Sequence, residues 1–226
     1  MKLISSAFVF WRVTRFFSIL EFMGDTTRSG PNLSALFELA VGQHGYFTTV
    51  QAHASGIEDN LLAYHVRTGR FLRAHRGVYR LRDYPPFPHE DVVSAWLAVG
   101  KDVSVVSHES ALDLLGLSDV IPTAIHFSVP RSRRNLPRLP RVTIHTTTRP
   151  FGPADLAVRD GIRLTSPART IVDAAEAGTA PEQIELAIHQ AIDRALTTAS
   201  RLEQMAGDRN LRVRNLVHRA LEPVIL

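Results

Sequence analysis

The chain has 226 residues, 45% hydrophobic and 21% charged, with a formal net charge of +4. That length suits one large domain or two small ones, the apolar content excludes global disorder, and the basic balance favours a polyanionic partner. With no cysteine present, disulfides, zinc–cysteine sites and thiol catalysis are excluded, and nothing points to an oxidising compartment.

Residues 3–11 are apolar behind Lys2, like a signal-peptide core. Arg12, Arg15 and two phenylalanines follow where a small-residue cleavage site would stand, and the run is too short and interrupted to span a bilayer. Phe8, Trp11, Arg12, Arg15, Phe16 and Ile19 would make a basic amphipathic helix on a membrane surface. The plainer reading puts the true start at Met23, with residues 1–30 a leader that is disordered or untranslated. Asn32 or Ser34 then caps a helix through about Gln43, with Leu33, Leu36, Phe37, Ala40 and Val41 as its apolar stripe and Gly45 at its end.

Residues 46–82 organise the chain. Thr48 and Gln51 stand three apart before an apolar residue, the spacing of a capping box, which predicts a helix over 50–55 closed by Gly56. A second helix is expected over 59–68, closed by Gly69. Ile57, Leu61, Leu62 and Val66 would face its core, and Asn60, Ala63, Tyr64 and Arg67 the other side. Gly77 then turns a hairpin between Phe71-Leu72 and Val78-Tyr79-Arg80-Leu81. Strand, helix, turn, helix and hairpin form the order of a winged helix-turn-helix. Arg67, Arg70, Arg73, Arg76, Arg80 and Arg82 lie here against only Glu58 and Asp59. Arginine forks suit phosphates and guanine edges, whereas acidic residues at the start of the second helix would repel a phosphate.

Residues 84–89, with three prolines, read as a rigid linker, so the expected domains are 31–84 and 85–226. In the second domain, helices are expected over 91–99 and 109–115, and strands over 103–107, 124–130 and 142–147. Asp160-Gly161 predicts a hairpin between 156–159 and 162–165. Ser166-Pro167 opens a helix up to Gly178, with Arg169 pairing Asp173 one turn on as a modest contact. Thr179 and Glu182 read as a capping box for a helix to about Leu196, and a last basic helix is expected over 211–221. The fold class is therefore α+β, an N-terminal winged helix-turn-helix followed by a mixed α/β C-terminal domain.

Catalytic motifs are absent. There is no HExxH, GxSxG or P-loop, and Lys101-Asp102 lacks the ExK a nuclease would need. Ser107-His108-Glu109-Ser110 is the sharpest polar cluster. One reading makes His108 a general base. The plainer one has Ser107 capping a helix and His108 packing at its start, with no nucleophile or metal partner in view.

Taken together, GYFTTVQAHASGI, RGVYRL, SHESALDLLGL, IHFSVPRSRR and GIRLTSPARTIVDAA resemble the AbiEi-type antitoxins of bacterial type IV toxin–antitoxin systems over residues 33–196. The resemblance implies a cytoplasmic, non-enzymatic protein without cofactor or metal. It implies a winged domain that represses its own promoter by binding inverted repeats in double-stranded DNA, as monomer or dimer. It also implies a C-terminal domain that counters a nucleotidyltransferase toxin. By position, the implied DNA-reading residues are Thr48, Thr49, Asn60, Tyr64 and Arg67, with Arg70, Arg73, Arg76 and Arg80 on the phosphates. The alternative is a stand-alone regulator or a protein-interaction module without a toxin partner, which the acidic Glu58 and Asp59 favour.

Overall fold

The computed structural model describes residues 30–133 and 136–222, so the expected leader lies outside the described residues. The chain divides into two compact units between Glu90 and Asp91.

In the first unit, α1 (Leu33–Val41) is capped by Asn32, whose side chain accepts from the Ala35 amide at 2.9 Å. It leads to β1 (Tyr46–Thr48), α2 (Thr49–Ala54), α3 (Asp59–Arg67), β2 (Phe71–His75) and β3 (Val78–Leu81). The three strands form an antiparallel sheet in the order β1-β3-β2. The capping box is present: Thr48 Oγ1 accepts from the Gln51 amide at 3.2 Å, and Gln51 Oε1 accepts from the Thr48 amide at 2.8 Å. Leu36, Phe37, Ala40, Phe47, Ala52, Ile57, Leu62 and Phe71 make the core. Full burial of a ring such as Phe47 contributes about 1.5–3 kcal/mol. On α3 the buried pair is Leu62 and His65, whereas Leu61 and Val66 are half-buried.

The segment read as a linker is held on this unit. Tyr84 hydroxyl donates to the Val41 carbonyl, its ring fills the space where a Gly45 side chain would stand, and Phe87 stacks on His44 at 3.8 Å.

The second unit carries α4 (Glu90–Val99), β4 (Val105–Val106), α5 (His108–Leu115), β5 (Ile125–Pro130), β6 (Val142–Thr147), β7 (Leu156–Arg159) and β8 (Ile162–Thr165). Helices α6 (Pro167–Ala177), α7 (Pro181–Asp193), α8 (Ala199–Gly207) and α9 (Leu211–Leu221) follow. The sheet is mixed, in the order β6-β5-β4-β8-β7. β5 pairs parallel to β6, β4 antiparallel to β5 and parallel to β8, and β7 antiparallel to β8. Val106, Leu112, Phe127, Leu164, Ile171, Ile184 and Ile188 are fully buried in this unit.

Two expected caps fail here, Ser107 and Thr179: Ser107 makes no side-chain cap bond to α5, its hydroxyl meeting His108 and Ser128 instead. Thr179 does not cap α7: the helix begins at Pro181 after Ala180, and the Thr179 hydroxyl donates to Glu109 Oε1 at 3.0 Å. The structure adds a helix over 199–207, α8, between the helix expected to about Leu196 and the one over 211–221. Its own signal is Thr198, whose hydroxyl accepts from the Arg201 amide, ahead of Leu202 and Ala206 on the buried side.

Candidate functional site

Asn60, Ala63, Tyr64 and Arg67 recur at helical spacing on the exposed side of α3, while Leu62 and His65 anchor the other. Tyr64 is 49% exposed, and the Arg67 guanidinium lies 5.7 Å from its ring centroid. A cation on a ring face keeps both groups extended from the helix. At the hairpin end, Gly77 takes φ +76, which glycine adopts without strain, and its carbonyl accepts from the Thr49 amide at 2.9 Å. That bond sets the start of α2 beside the turn carrying Arg76. Arg70, Arg73 and Arg76 are exposed, and no carboxylate pairs with them among the described residues.

Thr48 is half-buried and its oxygen is committed to the cap. Asp59 Oδ1 lies 2.9 Å from His53 Nε2 at the start of α3, while Glu58 makes no side-chain cap bond.

Arg80 is placed differently from the other expected phosphate contacts. Its side chain is 12% exposed and ion-pairs with Glu90 at 2.9 Å. The same guanidinium donates to the carbonyls of Leu81, Arg82, Tyr84 and Pro85 and stands 5.8 Å from the Tyr46 ring. Its donors face inward onto the 84–90 segment, so Arg80 acts as a clasp. For Glu90, burial alone would raise the carboxyl, but the Phe87 amide and Arg80 outweigh it and hold the pKa below its ordinary value. Burial, with Glu90 beside it, pushes the Tyr46 phenol up to about 12.

The second unit holds a histidine cluster that sequence reading left as a lone His108. His108 starts α5 with φ +55, and its Nδ1 lies 2.8 Å from Ser107 Oγ, which also accepts from Ser128 Oγ at 2.8 Å. Its ring stacks on His145 of β6 at 3.6 Å between centroids. His145 Nε2 lies 3.0 Å from His126 Nδ1 on β5. The parallel β5–β6 register sets Ser128 opposite His145 and carries His126 one step along the same face. The two partners missing from the sequence reading are thus His126 and His145. Their only local signal is alternation within their strands.

Burial lowers the pKa of all three imidazoles. His108 is pushed down to about 2 by burial, then by His145, His126, Arg169 and Arg209. His145 is pushed down to about 4 by burial and then by His126, and burial also lowers His126 against the pull of Glu109. His108 and His145 line a cavity of about 570 Å³ together with Ser128, Arg149, Arg169, Asp173, Glu176 and Arg209. Below it, Asp173 takes Arg169 and Arg209 together, at 2.8 and 2.6 Å. The expected modest helix contact is therefore a buried network.

Comparison with known proteins follows the same division. Residues 34–82 match the family model of a transcriptional regulator, the AbiEi antitoxin, and residues 104–222 match the AbiEi antitoxin C-terminal domain. The chain belongs to the AbiEi antitoxin family. The AbiEi-family chain also resembles the crystal structure of the RV2827C protein from Mycobacterium tuberculosis. The two share 20% identity over 89% of this chain and 81% of that one, with a TM-score of 0.53. That likeness shows a shared α+β fold. No curated protein matches this AbiEi-family chain. Among its described residues, no helix is long and apolar enough to cross a membrane.

Proposed function

We propose that this transcriptional regulator of the AbiEi antitoxin family represses its own promoter by binding inverted repeats in double-stranded DNA, as a monomer or dimer. Its second unit counters a nucleotidyltransferase toxin, and the protein works in the cytoplasm without an enzymatic activity of its own. The exposed Asn60–Tyr64–Arg67 face of α3, beside a hairpin carrying Arg73 and Arg76, supports the DNA reading. Arg70, Arg73 and Arg76 neutralise phosphates, while Asn60, Tyr64, Arg67 and Thr49 reach base edges. Binding of the full chain to its upstream DNA and to a scrambled duplex, at two salt concentrations, tests this. Preference for the upstream DNA that survives the higher salt is expected. Weak binding lost equally for both duplexes overturns it.

Glu58 and the 82% exposed side chain of Asp59 favour a second reading, in which the winged unit docks a protein. Co-purification of a partner without any DNA shift at low salt would establish it. The antitoxin half is tested by growth: co-expression of the chain restores growth to cells expressing a nucleotidyltransferase toxin of the type IV class, and failure to do so removes that half.

A further inference from the structure

We propose that His108, His126 and His145 form a binding site for one transition-metal ion of the zinc class. One ring nitrogen from each of the three residues lies within 4.8 Å of the others. An ion held by imidazole at about 2.05 Å in a tetrahedron needs its donors roughly 3.3 Å apart. His126 Nδ1 and His145 Nε2 already stand 3.0 Å apart, while the His108 ring, stacked on His145 at 3.6 Å, turns out of that stack to aim its lone pair at the same ion.

The donor set selects the ion. Three imidazole nitrogens suit Zn²⁺, Cu²⁺ or Ni²⁺, whereas Mg²⁺ and Ca²⁺ require oxygen ligands. The nearest carboxylate on the same element, Glu109, is engaged by the Thr179 hydroxyl. Three protein ligands leave a fourth position for water or a small anion, and His108 and His145 also line the cavity of about 570 Å³.

The outer partners suit a metal as well. Ser107 Oγ lies against His108 Nδ1, and Ser128 orients that hydroxyl from the far side. A proton on Nδ1 donated to Ser107 leaves Nε2 as a lone pair, the second-sphere arrangement that fixes a ligating histidine. Between His126 and His145 one nitrogen now carries a proton toward the other. Independent support comes from the backbone. His108 holds φ +55, a conformation that costs a non-glycine residue free energy and recurs where a side chain is held for a function.

The experiment uses the full chain, stripped with chelator and titrated with Zn²⁺ and separately with Co²⁺. Stoichiometric binding is expected, with the visible bands of a four-coordinate Co²⁺ site and a rise in Tm. His126→Ala and His145→Gln are expected to lower Zn²⁺ affinity about 100-fold or more, Ser107→Ala about 10-fold, and His218→Ala on the exposed face of α9 not at all. The chain has ten histidines, so this last control matters. Circular dichroism of each variant without metal establishes folding. The wild-type Co²⁺ spectrum does not depend on any variant. No stoichiometric binding, a six-coordinate spectrum, or equal affinity in His126→Ala, His145→Gln and wild type overturns the proposal.

Discussion

Arg169 and Asp173, one helical turn apart on α6, are joined by the arginine Nε donating to both carboxylate oxygens at 3.0 and 2.8 Å, with side chains only 4% and 6% exposed. Arg209 donates to the same carboxylate, and to Glu176 as well. Arg169 also approaches Asp155 at 3.9 Å. Asp173 thus bridges two guanidinium groups that have little water, with Asp155 and Glu176 supplying the further negative charge. Removing one partner of a buried pair leaves an uncompensated charge, so Asp173→Ala is expected to destabilise the second unit by about 3–5 kcal/mol. Urea unfolding of the variant measures it. A loss below about 1 kcal/mol would mean that solvent or Glu176 replaces the carboxylate.

Arg76 and Arg80 are four residues apart and chemically identical, yet they should fail differently. Arg76 is exposed at the hairpin turn, and Arg76→Ala is expected to weaken binding to every duplex. It should reduce the salt slope by about 1, with stability changed by less than about 0.5 kcal/mol. Arg80→Ala strips the clasp from Glu90, Tyr84 and Pro85 and should lower stability by about 1–3 kcal/mol. Salt-dependent DNA titrations paired with thermal melts separate the two outcomes.

Asn60 tests readout rather than charge. Its side chain is exposed on the α3 face and carries no net charge. Asn60→Ala should shift preference at one base position by about 1–3 kcal/mol and leave the salt slope unchanged. Competition against a library of single-base operator variants reads both quantities.

His65 makes the winged unit sensitive to acid. The ring is 5% exposed, and its Nε2 has no hydrogen-bond partner among the described residues. Burial, and then Arg70, lowers its pKa from the ordinary 6.5. The unfolded chain therefore takes up the proton first as pH falls. Stability attributable to this residue is complete above about 6.5 and declines below it, toward the lower folded-state value. Denaturant midpoints measured between about pH 7.5 and 5 should fall for the wild type, and His65→Leu should flatten that part of the decline.

Local signals were legible at several turns and helix starts, where a residue acts on the backbone next to it. The Thr48–Gln51 capping box forms as its spacing requires. Asp160-Gly161 turns the β7–β8 hairpin with both residues at positive φ, and Pro167 opens α6 while Gly178 closes it. Each device works through hydrogen bonds or dihedral angles within a few residues, so the chain carries it intact. The Asn60–Tyr64–Arg67 face follows from the same kind of rule, since helical spacing alone puts those residues on one side.

Partners across the fold obey no such rule. Thr179 has the spacing of a cap, but Glu109, brought near by tertiary packing, takes its hydroxyl instead. Arg80 looks like another wing arginine until the 84–90 segment folds back and supplies its acceptors. His108, His126 and His145 sit on a helix and two strands, and nothing in those segments names the others. The amino-acid sequence by itself determined most of the elements, the Asn32 and Thr48 caps and the exposed face of α3. The tertiary structure alone decided which arginines stay exposed and which histidines cluster. The order β6-β5-β4 and the packing of α5 set those distances, and they arise from burial of apolar surface that is blind to the identity of the polar groups it brings together.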